Sequence, residues 1–201
     1  MDVTALSHDA TLAEMELADL SLLDQNARGV TLQTARLAGS DLAGSRLEHL
    51  RIADVVISGC NLANVHARSA SVKGAVIESS RLTGFAMPRG KLTDVLFAGC
   101  RIDLASFAGC QLERVSFEDC VLAHSDFLEA RLDSVGFHTC DLTSADVRGA
   151  RMKRCELRRC QLTDLQGVES LRGAAMEWPD ILDMAGTWAA ALGIGVLDAE
   201  E

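Results

Sequence analysis

The chain has seven cysteines but no pair at C-x-x-C spacing, and no histidine stands with a cysteine or carboxylate at zinc-site spacing. No metal centre or dithiol motif is therefore expected. No G-x-S-x-G, H-E-x-x-H or P-loop segment occurs, so the signatures of a hydrolase elbow, a zinc protease and a nucleotide cradle are missing. The chain reads as no enzyme, with no cofactor. Aromatic residues make up 4%, and no exposed aromatic ladder accompanies the basic run Arg151–Arg154, which argues against direct nucleic-acid binding. No charged n-region followed by an apolar h-region opens the sequence, so no secretion signal is expected. The run Met184–Leu197 is too short to span a bilayer. An odd number of cysteines fits a reducing compartment, and the expected setting is cytoplasmic.

What the chain does have is a period. From Leu12 to Leu162 every fifth residue is bulky and apolar in 29 of 31 positions, the exceptions being Ala27 and Ala67. Two residues before each lies a second class, Ala, Ser, Cys, Val or Gly in 26 of 31 cases, with Met15, Leu20, Gln25, Leu50 and Phe85 as the others. Five matches neither the helical period of about 3.6 nor the strand period of 2. Two inward and three outward residues in every five need a chain that turns a corner every five residues. A fixed period of this kind predicts a solenoid.

Blocks such as CDLTS-ADVRG and CQLER-VSFED resemble the pentapeptide repeat family, whose pattern is roughly A(D/N)LXX. The resemblance covers about three quarters of the chain. It implies an all-β solenoid, a right-handed quadrilateral β-helix with four five-residue sides per coil and backbone hydrogen bonds between coils. Eight coils at about 4.8 Å each make a rod roughly 38 Å long. The expected organisation is an N-terminal cap over residues 1–10, the β-helix over 11–176, and a C-terminal helix and tail over 177–201 that caps the rod, pairs with a second chain, or both.

All seven cysteines fall on the small inward position, where cysteine serves as a small apolar residue. Phe97, Phe117 and Phe137 fall on one wall and Phe107 and Phe127 on the opposite one, predicting two facing ladders in a packed shaft. The wall of Ala27, Ala67 and Met87 is irregular. Phe85 is placed to fill the space beside Ala67, and Pro88 and Gly90 suggest a local bend or bulge near 85–90. In the tail, Ile181, Ala185, Trp188 and Leu192 make one helical face, widened by Leu182 and preceded by Trp178. Pro179 suits its first turn and Gly193 its end.

The net charge is −10. Of this, the repeats from 11 to 164 carry only −2 and residues 165–201 carry −6. Folded onto four sides, the walls centred on Leu17 and on Leu22 each sum to −3, the wall centred on Leu12 to +3, and the irregular wall to +1. The candidate partner-binding acids on the two negative walls are Glu16, Asp19, Asp41, Glu78, Glu118, Asp119 and Asp141. A solenoid is mostly surface, so the expected function is a protein-interaction rod with an unidentified partner. The resemblance also implies an alternative. Quinolone-resistance members of the family are acidic, dimeric DNA mimics that bind DNA gyrase or topoisomerase IV, and this chain lacks the surface loops some of them carry. It likewise implies a homodimer through the C-terminal segment.

Overall fold

The computed structural model describes residues 4–195. The first three residues of the expected N-terminal cap and residues 196–201 of the tail lie outside the described residues. The chain winds into a parallel β-solenoid of about eight coils. Eight-residue strands at Thr31–Ala38, Arg51–Ser58, Ser71–Glu78, Lys91–Ala98, Gln111–Glu118 and Arg131–His138 stack in register. Each residue pairs with the one 20 further on, as Leu32 with Ile52 and Phe97 with Phe117. Each long strand turns a corner midway, so the first wall (Leu12, Leu32, Ile52) and the second (Leu17, Leu37, Ile57) belong to one 11-stranded sheet. The third wall (Leu22, Leu42, Leu62) and the fourth (Ala27, Leu47, Ala67) are held mainly by single bridges at the same spacing, such as Asn61 with Arg81 and His66 with Ala86.

The corners have one backbone cause. Every fifth residue from Asp9 to Asp164 has positive φ, without a gap. Nine of these positions are glycine and the rest are mostly Asp, Ser, Thr, Arg and His. The left-handed region costs an L-residue roughly 1–2 kcal/mol, so each corner is held by the ladder bonds on either side of it. The bonds Leu22 N–H to Asp41 O (2.7 Å) and Asp24 N–H to Ala43 O (2.9 Å) flank one such corner.

On the third and fourth walls, outside the short strand pair Asn26–Arg28 and Arg46–Glu48, the residue after the central apolar one donates no ladder bond. A side chain two residues earlier accepts that amide instead: Asp41 from Ala43 (2.9 Å), Asn61 from Ala63 (3.2 Å), Asp126 from Leu128 (2.8 Å), Asp141 from Thr143 (2.9 Å) and Asp146 from Arg148 (2.9 Å). This is a local turn of the Asx type, and it explains why Asp or Asn precedes the central residue so often. It also explains Pro88. That position donates no ladder bond, so proline removes none. The expected bend at 85–90 is absent: Ser69 donates to the Pro88 carbonyl (3.2 Å) and Arg89 to Ala108 (3.0 Å), as in neighbouring coils.

The shaft is apolar apart from the buried serines Ser40, Ser45, Ser80 and Ser125. Phe97, Phe117 and Phe137 stack at 4.8 and 5.0 Å, and Phe107 stacks on Phe127 at 5.2 Å. The two ladders meet edge to face at 5.9–6.4 Å, the geometry aromatic quadrupoles favour. The N-terminal half differs from the packed shaft expected. Its centres are aliphatic and include Ala27 and Ala67, and an apolar void of about 70 Å³ runs among residues from Leu6 to Phe97. Phe85 reaches into that region and lies 6.4 Å from Phe107, filling it only in part.

Past Leu162 the period slips by one. Cys155 pairs with Ala174 and Leu157 with Met176, 19 residues apart. A 3-10 turn over Val168–Leu171 replaces a corner. At Gly173 (φ +92) a Cβ would collide with the Met152 carbonyl oxygen, so only glycine fits there. The tail forms two short helices rather than one, α1 (Trp178–Asp183) and α2 (Ala185–Ala191), divided at Met184. Met184 is buried in the core, and its non-helical backbone turns the second segment. The expected single face is therefore split. Ile181 and Trp188 are half-buried, while Leu182, Ala185 and Leu192 are exposed.

Candidate functional site

The two acidic walls are adjacent and share a corner. The structure places the seven candidate carboxylates there in two groups and a singleton. Glu16 lies on the short strand Glu16–Ala18. Asp19 occupies the next corner with φ 53°, its carboxylate in the space a side chain on Gly39 would need. Asp41 lies one coil on, bridged to Ser21. The second group is Glu118, at the end of Gln111–Glu118, Asp119 at the corner after it (φ 51°), and Asp141, bridged to Val121 one coil further. Five coils, about 24 Å, separate Asp41 from Asp141. Glu78 stands alone between the groups, and Arg81 and Arg101 interrupt the Asp41–Asp141 ladder.

Among the described residues, none of the seven takes part in a salt bridge. Asp41 and Asp141 are nevertheless committed to their turns, and Asp41 also accepts from Asn61 Nδ2 at 3.1 Å. Glu118 accepts from Ser116 Oγ at 3.0 Å. Glu16, Asp19 and Asp119 are exposed and accept no side-chain hydrogen bond among the described residues, so they carry the most available charge.

Several carboxylates elsewhere are paired. Asp146 is held below the ordinary carboxylate range by the Arg148 guanidinium, and Asp94 by that of Arg114. The basic run near the C-terminal end is largely neutralised, since Lys153 and Arg154 both reach Asp133 and Arg158 bonds Glu156. The summed wall charges concealed a different feature. Arg51, Lys91, Arg131 and Arg151 occupy one outward ladder of the first wall, with Ser71 and Gln111 between them and no acid. All four are exposed and outside any salt bridge among the described residues. Counting the charge of each ladder separately would have found it.

Among the described residues, four of the seven exposed large apolar side chains lie at the C-terminal end. Trp178 is 71% exposed, Leu182 61%, Leu192 75% and Ile194 58%. Inward from these, Trp188 packs against the 3-10 turn, and the Asp180 carboxylate accepts the Arg159 amide at 2.9 Å, tying α1 to the last coil. Among the described residues no group of three or more His, Cys, Asp or Glu side chains is placed to hold a metal ion. No helix among them is long and apolar enough to cross a membrane.

Unbroken 20-residue registers, four flat walls and a corner at every fifth residue define a repeat protein of the parallel β-solenoid class. Residues 90–166 match the family described as a pentapeptide repeat region. Among solved structures the chain resembles HetL, a pentapeptide repeat protein involved in heterocyst differentiation regulation from the cyanobacterium Nostoc sp. strain PCC 7120. The identity is 19%, over 84% of this chain and 90% of that one, with a TM-score of 0.41. It also resembles a trypsin-treated form of QnrB1, a plasmid-mediated fluoroquinolone resistance protein, at 17% identity over 95% and 99% of the two chains, TM-score 0.38. No curated protein matches the sequence.

Proposed function

We propose that the chain is a non-enzymatic interaction rod whose acidic second and third walls meet a basic surface on a partner protein. The observation that carries this reading is the Glu118–Asp119 step beside Asp141, outside any salt bridge among the described residues, on walls with no insertion to screen them. A photo-crosslinker at Asp119 and another at Lys91, on the first wall, test it. Crosslinks to one protein from Asp119 alone, lost when Glu118 is changed to Lys, support the reading. Equal capture from both positions overturns it.

A second reading is a DNA mimic that binds DNA gyrase or topoisomerase IV and protects it from topoisomerase poisons. It is favoured by the two acidic groups lying along one side of the rod. Charge density weighs against it. Duplex DNA carries about one charge per 1.7 Å, roughly 22 over a 38 Å rod, against −6 on these two walls. A gyrase supercoiling assay with and without a fluoroquinolone decides. Inhibition or rescue that disappears in Glu118→Lys/Asp119→Lys supports mimicry, and no effect up to tens of micromolar rejects it.

The rod pairs, in this proposal, with a second copy through the exposed apolar side chains of α1 and α2. Light scattering is expected to give a dimer that Leu182→Glu/Leu192→Glu converts to a monomer. A monomeric wild-type protein rejects pairing.

A further inference from the structure

Cys100, Cys120, Cys140 and Cys160 occupy one inward column on four consecutive coils, with Ser40, Cys60 and Ser80 below them. Each of the four thiols meets the same two carbonyls, one 23 residues back and one two residues back. The distances are 3.3 and 3.5 Å for Cys100, 3.5 and 3.2 Å for Cys120, 3.4 and 3.4 Å for Cys140, and 3.3 and 3.5 Å for Cys160. Identical partners mean identical rotamers. The sulfurs therefore repeat at the coil spacing, about 4.7–4.9 Å.

That spacing is long for a disulfide, which needs Cβ atoms about 3.5–4.5 Å apart. It is close to twice a metal–thiolate bond of about 2.3 Å. Thiolate is the ligand type that selects soft metals. The setting adds a charge condition. The column faces an apolar shaft, where an uncompensated charge is costly. Two thiolates on one divalent cation are neutral overall. The upper end of the column is open: Cys160 is only partly buried and lines a cleft of about 390 Å³ beneath the C-terminal helices with Asp164, Asp180, Asp183 and Met184.

We propose that adjacent thiols of this column form a binding site for a soft, linear, two-coordinate cation, entered from the cleft at Cys160. Two thiols each lose a proton to solvent, and two metal–sulfur bonds form. No electron is transferred. Two side chains suffice, so the site needs no cluster of three ligands. Cys60, Cys110 and Cys155 have no cysteine on an adjacent coil of their columns and serve as internal controls. This inference is independent of the interaction surface.

The test titrates the reduced full-length protein with mercuric ion, then challenges it with excess glutathione. Wild type is expected to retain about two ions per chain, each bound by two sulfurs at about 2.3 Å in X-ray absorption. Cys160→Ser is expected to retain about one, and Cys60→Ser about two. Serine already stands in this column at Ser40 and Ser80, so the fold tolerates the change, and circular dichroism verifies it. Loss of metal equal in Cys60→Ser and Cys160→Ser, or a single sulfur per ion, overturns the proposal.

Discussion

At the scale of the residue, the fold uses one backbone state over and over. Leu104 shows its cost. It is a branched side chain at φ 58°, 59% exposed, at a position other coils fill with Gly44, Asn64 and Gly84. Asparagine tolerates the left-handed region better than leucine. Leu104→Asn is therefore expected to stabilise the protein by about 1 kcal/mol, read as a higher urea midpoint. The buried thiols make a second residue-scale prediction. Burial pushes the Cys110 thiol up to about 12, against an ordinary value of about 8.5. A group raised on folding contributes stability that is whole below its unfolded value and lost as pH rises toward the folded one. Denaturant midpoints are expected to fall between about pH 8.5 and 12, and Cys110→Ser is expected to flatten the fall.

At the scale of the element, the seam between the last coil and the tail is tied by one buried carboxylate. Asp180 is 8% exposed and supplies the acceptor for the Arg159 amide. Asp180→Ala leaves that donor without a partner, a loss of about 1–3 kcal/mol. Faster hydrogen exchange at Arg159 and a red shift in Trp188 emission are expected, with Asp180→Asn restoring both. The tail also marks where the periodic pattern misled. Ile181, Ala185, Trp188 and Leu192 do share a helical face by spacing. Met184 interrupts the helix, because burying its side chain in the end of the shaft requires a turn there.

At the scale of the whole molecule, the two halves of the rod are packed differently. The C-terminal coils hold both phenylalanine ladders, while the N-terminal coils enclose the void beside Ala27 and Ala67. Solenoid stability is a sum over coils and their interfaces. Native-state hydrogen exchange is therefore expected to be faster in the ladders of Ile52 and Val72 than in those of Leu112 and Leu132. The reverse order would mean that the backbone ladders, equal along the rod, outweigh side-chain packing. The charge is also a property of the whole. Opposite signs on opposite corners orient the rod toward a charged surface, while a net charge spread evenly over four walls would not.

The period of five, the two inward classes and the stacking of Phe97 on Phe117 and of Phe107 on Phe127 were legible in the sequence. They follow from which residues must be buried, and burial is written in hydrophobicity. The left-handed corner at every fifth residue was also present, as glycines and aspartates in one phase, but it calls for a backbone reading that an apolar pattern does not supply. Which acids are free was not legible. Asp41 and Asp141 look like Glu118 and Asp119 in a count of charge, and only the turn geometry commits the first two to amides. The shared carbonyl partners of the four thiols and the void beside Ala67 likewise belong to the tertiary structure alone. Both depend on side chains twenty residues apart meeting across coils, and no local stretch of sequence records how well they fill the space between them.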